Sequence, residues 1–182
     1  MFFRTPVPVL SARRGRVRDA SLLAGWTVRS AVHSATLATA WPRRLWSLCR
    51  VLLFLALWPV SWLMFAAMLC PVSPWTFYFD ADRTACFSVR TCGRTPDRTA
   101  WTVANHMSAR PGHGHGRRLR DQHQGTLYAQ ADALGIPILF TAAHRRLAEH
   151  YAATHPQLEH RAAAHLPSQV PMIRRPRTIV TT

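Results

Sequence analysis

The sequence predicts an α/β fold in which one N-terminal transmembrane helix precedes a small α/β domain. Three observations indicate this fold: an uncharged apolar block in residues 51–79, a strand–loop–helix–strand–helix order in residues 99–155, and three alternating glycines in the loop of that order. The chain has 182 residues, 48% of them hydrophobic, which fits one domain or a small domain with an appendage.

The positive charge of the chain comes from arginine alone. The sequence has 23 arginines, no lysine and 8 acidic residues, for a net charge of +15. A P-loop phosphate site is excluded because it needs a lysine, and four cysteines are too few for a disulfide scaffold. A GC-rich coding sequence alone accounts for an arginine-only set, while a membrane surface and nucleic acid are the functional alternatives.

The distribution of charge favours the membrane. Residues 1–50 have a net charge of +8, residues 51–79 carry no charge, and residues 101–182 have a net charge of +6. The basic residues therefore flank a neutral block and do not form one patch. Arg110, Arg117, Arg118 and Arg120 cluster locally, but no interleaved aromatic platform accompanies them, and nucleic acid binding is disfavoured.

The neutral block has the length and composition of a membrane span. Residues 51–69 interrupt an apolar run only with Pro59 and Ser61. A helix of this length measures about 28 Å, close to the roughly 30 Å hydrocarbon core of a bilayer. Trp46 and Trp75 stand where interfacial anchors belong. We therefore predict a transmembrane anchor over residues 45–75, with a buried hairpin or an interfacial segment as the alternatives.

The anchor defines the expected organisation of the chain. The apolar run begins too far from the first residue for an ordinary signal peptide, so we expect a retained, single-pass cell-membrane protein. Residues 1–44 are interpreted as a basic, flexible region, on the cytoplasmic side by the positive-inside bias, with an interfacial helix as the alternative. Residues 76–98 are interpreted as a linker, and residues 99–182 as the folded domain.

The elements of residues 99–155 follow from local patterns. Trp101 and Val103 alternate in a strand over residues 99–105. A helical pattern then ends at Gly135, and a short apolar strand follows over residues 136–141. The last element is a short helix that carries Tyr151 and ends before a proline.

The loop between the first strand and the helix carries Gly112, Gly114 and Gly116. Glycine lets the backbone approach a ligand closely, and the following helix offers N–H groups and a positive dipole end. These features predict a cradle for a pyrophosphate, to which Arg117 and Arg118 add charge. The spacing is not that of a dinucleotide-binding fingerprint, since that pattern needs glycine where Arg117 stands.

Residues 111–119 resemble the acetyl-CoA loop of the GNAT superfamily of N-acetyltransferases, which reads Arg/Gln-x-x-Gly-x-Gly/Ala. Pro111 departs from that motif at its first position. Downstream, His144 occupies a place where the family often has asparagine, and Tyr151 follows seven residues later as in the family. The resemblance implies a truncated GNAT-like α/β domain, because little of the chain is left for the family's first half.

The resemblance also implies a cofactor, acetyl-CoA, and an acceptor that is a small-molecule or peptide amine. Tyr151 would be the general acid that protonates the leaving thiolate. The cofactor would contact the loop, the end of the preceding strand and the turn after the next strand, at these residues: His106, Met107, Gly112, His113, Gly114, His115, Gly116, Arg117 and His144. The alternative is a non-catalytic single-pass membrane protein with a degenerate domain of this type.

The histidines do not predict a metal site. Nine of the ten follow residue 100, yet no HExxH or CxxC spacing and no carboxylate cluster accompanies them. We interpret them as surface histidines of a basic domain. One conflict stays open: acetyl-CoA is cytoplasmic, whereas the positive-inside bias directs the C-terminal domain to the other side of the membrane.

Overall fold

A computed structural model describes residues 5–37, 41–95, 99–142, 145–155, 157–160 and 170–177. A two-residue strand and a single 3-10 turn open the described chain: β1 (Arg13–Arg14) and Val17–Asp19. Three helices follow: α1 (Ala20–Leu37), α2 (Trp41–Ala56) and α3 (Trp58–Met68). Among the described residues, six strands and two helices follow, in this order: β2 (Trp75–Phe79), β3 (Ala85–Arg94), β4 (Thr99–Ser108), α4 (His115–Ala133), β5 (Ile138–Ala142), α5 (Arg145–Thr154), β6 (Leu158–His160) and β7 (Val170–Arg174).

Over the described residues, the strands form a seven-stranded sheet in the order β1-β2-β3-β4-β5-β7-β6. Strands β4 and β5 pair in parallel, with Trp101 opposite Ile138, because helix α4 returns the chain to the edge where β4 began. Strand β7 pairs antiparallel with both β5 and β6. The loop that follows β4 leads directly into the N-terminus of α4.

The chain divides into two compact units. The central unit comprises Ser11–Phe87 and Asn105–Gln122, and the terminal unit comprises Met1–Leu10, Ser88–Ala104 and His123–Thr182. Each unit has its own cluster of buried apolar residues.

An aromatic core holds the central unit together. Trp26 from α1 packs against Phe79 of β2, with ring centroids 5.9 Å apart. Phe65 from α3 meets Phe77 of the same strand edge to face, at 6.4 Å. Helix α1 therefore buries one face against the sheet, although the sequence analysis interpreted residues 1–44 as flexible.

The apolar block forms two helices where the sequence analysis predicted one. Among the described residues, no single helix has both the length and the apolar character needed to cross a membrane, although Leu48–Ala56 and Trp58–Met68 meet that test jointly. A bend of 69° separates these two segments. Pro59 stands in the first turn of α3, where its missing N–H is tolerated but α2 cannot continue. A membrane crossing stays a prediction.

The order of elements after residue 99 is confirmed: β4, α4, β5 and α5 follow one another as expected. Helix α4 ends at Ala133, two residues before the predicted Gly135, which has a φ angle of +63° and whose N–H donates to the carbonyl oxygen of Asp132 at 3.1 Å. The segment interpreted as a linker, residues 76–98, is different, since it contains β3 and all but the first residue of β2. Strands β6 and β7 are not predicted by the sequence pattern.

Candidate functional site

The glycine loop connects β4 to α4 in the central unit. Gly112 and Gly114 have φ angles of +85° and +74°. Residues with a side chain rarely adopt this left-handed conformation, whereas glycine does so at little cost. The backbone therefore requires two of the three glycines that the sequence analysis identified.

The N-terminus of α4 begins at the last of these turns. The N–H of Arg118 donates to the carbonyl oxygen of Gly114 at 3.0 Å. The N–H groups of residues 115–117 precede that first bond, so the helix itself offers them no acceptor. Together with the positive end of the helix dipole, they form a site suited to an anion.

The space beside the loop is open. A Cβ atom built on Gly114 or on Gly116 would meet no described atom within 4 Å. The loop thus combines unpaired donors, a favourable dipole and room for a group to approach the backbone. A pyrophosphate fits this donor set, because its oxygens are acceptors and carry negative charge.

Arginines surround this site with excess positive charge. Arg117 and Arg118 are exposed near the start of α4. The Nε atoms of Arg117 and Arg120 lie 3.5 Å and 3.3 Å from the carboxylate of Asp121. One carboxylate is therefore shared by two guanidinium groups, and the net charge of this turn stays positive.

The turn between β2 and β3 contacts both ends of the glycine loop. The carboxylate of Asp80 accepts the backbone N–H of Thr84 at 2.6 Å and also its hydroxyl. The carbonyl oxygen of Thr84 accepts the N–H of Ala109 at 2.8 Å, and its Oγ1 lies 3.4 Å from Nδ1 of His115. The sequence analysis missed this support because it interpreted the segment as a linker. The sequence feature that could have revealed this support is a short polar turn between two apolar runs.

Two histidines in the loop and a third from α1 lie close to the glycines. The ring centroids of His113 and His115 are 6.3 Å apart. Nε2 of His33 lies 3.5 Å from the position that a Cβ on Gly112 would take. Within the described ranges, no group of three or more His, Cys, Asp or Glu residues is placed to hold a metal ion.

The end of β4 contributes Met107, which is half-buried and packs against the central aromatic core. Beside it, burial raises the pKa of the Cys86 thiol, so that this cysteine stays protonated. The position of His106 lies within β4, but its side chain is outside the described residues, as is the whole of His144. Their predicted contacts with a cofactor stay predictions.

Tyr151 lies on α5 in the terminal unit. It is half-buried and packs against the apolar cluster that contains Ala148, Leu158 and Met172. Its carbonyl oxygen accepts the N–H of His155 at 2.8 Å, at the C-terminal end of the helix. The packing fixes the helix that carries the phenol, and the role of Tyr151 as an acid stays a prediction.

No family model matches the sequence, and no curated protein matches it either. Solved structures resemble the chain over most of its length. An acetyltransferase from Thermus thermophilus is 11% identical, with 93% of this chain and 99% of that chain covered and a TM-score of 0.49. The PaiA N-acetyltransferase of Thermoplasma acidophilum, solved in complex with coenzyme A, is 10% identical, with 91% and 99% covered and a TM-score of 0.46.

A third structure comes from Desulfovibrio desulfuricans and is described as an acetyltransferase of the GNAT family. It is 19% identical, with 91% of this chain and 96% of that chain covered and a TM-score of 0.41. All three proteins are described as acetyltransferases. The alignments extend beyond residues 99–155, to which that resemblance was confined.

Proposed function

We propose that this protein transfers an acyl group, most simply acetyl, from acetyl-CoA to an amine. The observation that supports the proposal is the loop before α4. It combines two left-handed glycines, the free N–H groups of a 19-residue helix and open space beside Gly114 and Gly116. Such a loop is best suited to hold an anionic group against its backbone.

Acetyl-CoA would supply an activated acyl thioester. The loop from Gly112 to Gly116 would receive its pyrophosphate, which the backbone N–H groups of residues 115–117 would hold, and Arg117 and Arg118 would add positive charge. The hydrogen bonds of Thr84 to Asp80 and Ala109 would keep the loop in place. The phenol of Tyr151 would donate its proton to the leaving sulfur as the carbon–sulfur bond breaks.

Binding is tested by titration calorimetry of the full chain with acetyl-CoA. Gly116→Glu and Gly125→Glu place the same carboxylate in the same helix, and both sites are open. We expect Gly116→Glu to weaken binding by about 100-fold, since its charge would meet the phosphate, and Gly125→Glu to bind normally. A carboxylate in the first turn favours the helix, so unfolding would not explain the loss. Absence of binding by the unmodified chain at millimolar acetyl-CoA would refute the proposal.

Turnover is tested by following release of the CoA thiol in the presence of a panel of amines. Tyr151→Phe is expected to lower kcat by about 100-fold while the affinity for acetyl-CoA is unchanged, because only a proton donor is removed. Equal turnover would remove Tyr151 from the mechanism. Binding without turnover on any amine would favour the alternative, a non-catalytic protein with a degenerate domain.

A further inference from the structure

The outer faces of α2 and α3 carry large apolar side chains that nothing in the described chain covers. Trp41, Trp46 and Leu52 are 72%, 68% and 66% exposed, and Leu63 is 59% exposed. Many large apolar side chains exposed along two neighbouring helices are unusual for a monomeric soluble protein and mark a candidate interaction site. We call these outer faces the α2–α3 surface.

The opposite face of α3 belongs to the core of the central unit. Phe65 and Leu69 are buried there with Trp26 and Phe77. The indole N–H of Trp62 donates to Oγ of Ser21 on α1 at 3.0 Å, which fixes α3 to α1. The α2–α3 surface is therefore a fixed part of a folded unit.

The charged residues within α2 and α3 have a single sign. Between Asp19 and Asp80 the sequence has no acidic residue, while it has four arginines, of which Arg50 is exposed on α2. A second copy docked on the same surface would bring like charges together without any carboxylate to pair with them. A bilayer that contains anionic phospholipids offers both an apolar interior and the complementary charge.

We propose that the α2–α3 surface binds the interface of an anionic phospholipid bilayer, with the two helices lying along it. Neither helix alone reaches across a bilayer: α2, with 16 residues, is about 24 Å long and α3, with 11 residues, is about 17 Å long at 1.5 Å per residue, against a hydrocarbon core of roughly 30 Å. The 69° bend between them prevents their lengths from adding. Exposed tryptophans suit the headgroup region, where an indole ring has one apolar and one hydrated side.

Co-sedimentation of the full chain with liposomes tests the proposal. We expect at least about tenfold stronger binding to vesicles with 30% phosphatidylglycerol than to pure phosphatidylcholine, and a loss of this difference in 0.5 M salt. Leu52→Glu should weaken binding at least about tenfold, because the surface gains a carboxylate. Leu134→Glu is the matched control, since Leu134 is 49% exposed on a different unit, and it should bind like the unmodified chain.

The depth of insertion separates an interfacial position from a span. Tryptophan fluorescence should be quenched more by lipids brominated near the headgroup than by lipids brominated near the chain end, and Trp41→Phe/Trp46→Phe should lose most of the quenching. Strongest quenching near the bilayer centre would overturn the interfacial position. Absence of binding to either vesicle, or dimerisation that Leu52→Glu abolishes, would overturn the bilayer as the partner. Neither measurement uses acetyl-CoA, so its outcome is independent of the acyltransferase proposal.

Discussion

The two units of the chain bury their interiors in different ways. The central unit fills its core with aromatic rings, of which Trp26, Phe77 and Phe79 are almost completely buried. The terminal unit buries a charge: Arg174 of β7 is 1% exposed. Apolar burial stabilises a unit at any pH, whereas a buried arginine depends on partners that keep their charge.

Among the described residues, three side chains contact the guanidinium group of Arg174. Nη2 donates to the carboxylate of Asp132 at 2.6 Å, and Nε donates to Gln157 at 2.9 Å. The guanidinium carbon lies 4.3 Å from the ring centroid of Tyr128, a cation–π contact. The contrast with the central unit predicts that single substitutions will affect the two units through different physical terms.

The largest effect is expected at the aromatic core. Trp26→Ala removes a buried indole from the packing against Phe79 and should lower the free energy of unfolding by about 3–5 kcal/mol. Urea denaturation measures this change. The exposed Trp41 is the matched control, and Trp41→Ala should change stability by less than about 0.5 kcal/mol. Equal effects of the two substitutions would show that α1 does not pack as described.

The next effect is expected at the buried charge. Asp132→Ala leaves Arg174 buried without its carboxylate and should cost about 3 kcal/mol, at the lower end for a broken buried pair because Asp132 is partly exposed. Asp121→Ala removes a carboxylate from exposed arginines and should cost about 0–1 kcal/mol. Thermal unfolding of both variants compares them. A cost below about 1 kcal/mol for Asp132→Ala would contradict the described role of the pair.

A steric effect of intermediate size is expected at Gly15. A Cβ there would stand 2.7 Å from Leu69 and 2.8 Å from Phe79, so Gly15→Ala should destabilise the central unit by about 1–3 kcal/mol. Gly125→Ala is the control, because Gly125 is helical and has open space. That variant should gain roughly 0.5–1 kcal/mol from helix propensity. A neutral Gly15→Ala would mean that the core relaxes more than its packing suggests.

The smallest effect is one of pH, and it belongs to the terminal unit. The pKa of Asp132 is lowered, first by the hydrogen bond from Arg174 and also by the backbone N–H of Arg177. Because the folded pKa is depressed, the stabilisation is present above the ordinary pKa near 4 and is lost as pH falls through the folded value. Denaturation from pH 7 to pH 2 should therefore show the unmodified chain approaching Asp132→Asn in stability. A constant difference between them would contradict the assignment.

Local pattern explains which elements the sequence could predict. The alternation of Trp101 with Val103 and the glycine spacing of residues 112–116 are properties of neighbouring residues, so they predicted β4, the loop and α4. Apolar helices are different, because a side chain that faces lipid and one that faces a protein core have the same composition. Phe65 is buried while Leu63 is exposed two residues before it, and only the tertiary structure separates them.

The parts of the candidate site that depend on distant contacts could not be predicted in this way. His33 lies on α1, yet its imidazole is close to Gly112. Thr84 contacts Ala109 and His115 across a long stretch of sequence, and a polar turn does not reveal which loop it will support. The same limit hid Arg174, whose carboxylate partner is 42 positions earlier.

The make-up of the terminal unit has a consequence for synthesis of the chain on the ribosome. Thr5 donates its backbone N–H to Thr91 at 3.1 Å, and the carbonyl oxygen of Pro6 accepts the indole N–H of Trp101 at 3.0 Å. Strand β7, which pairs with β5, ends only at Arg174. The terminal unit therefore needs residues as far along the chain as Arg174, whereas the central unit is complete by Gln122. A stalled or shortened translation product would deprive the terminal unit, and the helix that carries Tyr151, of its closing strand.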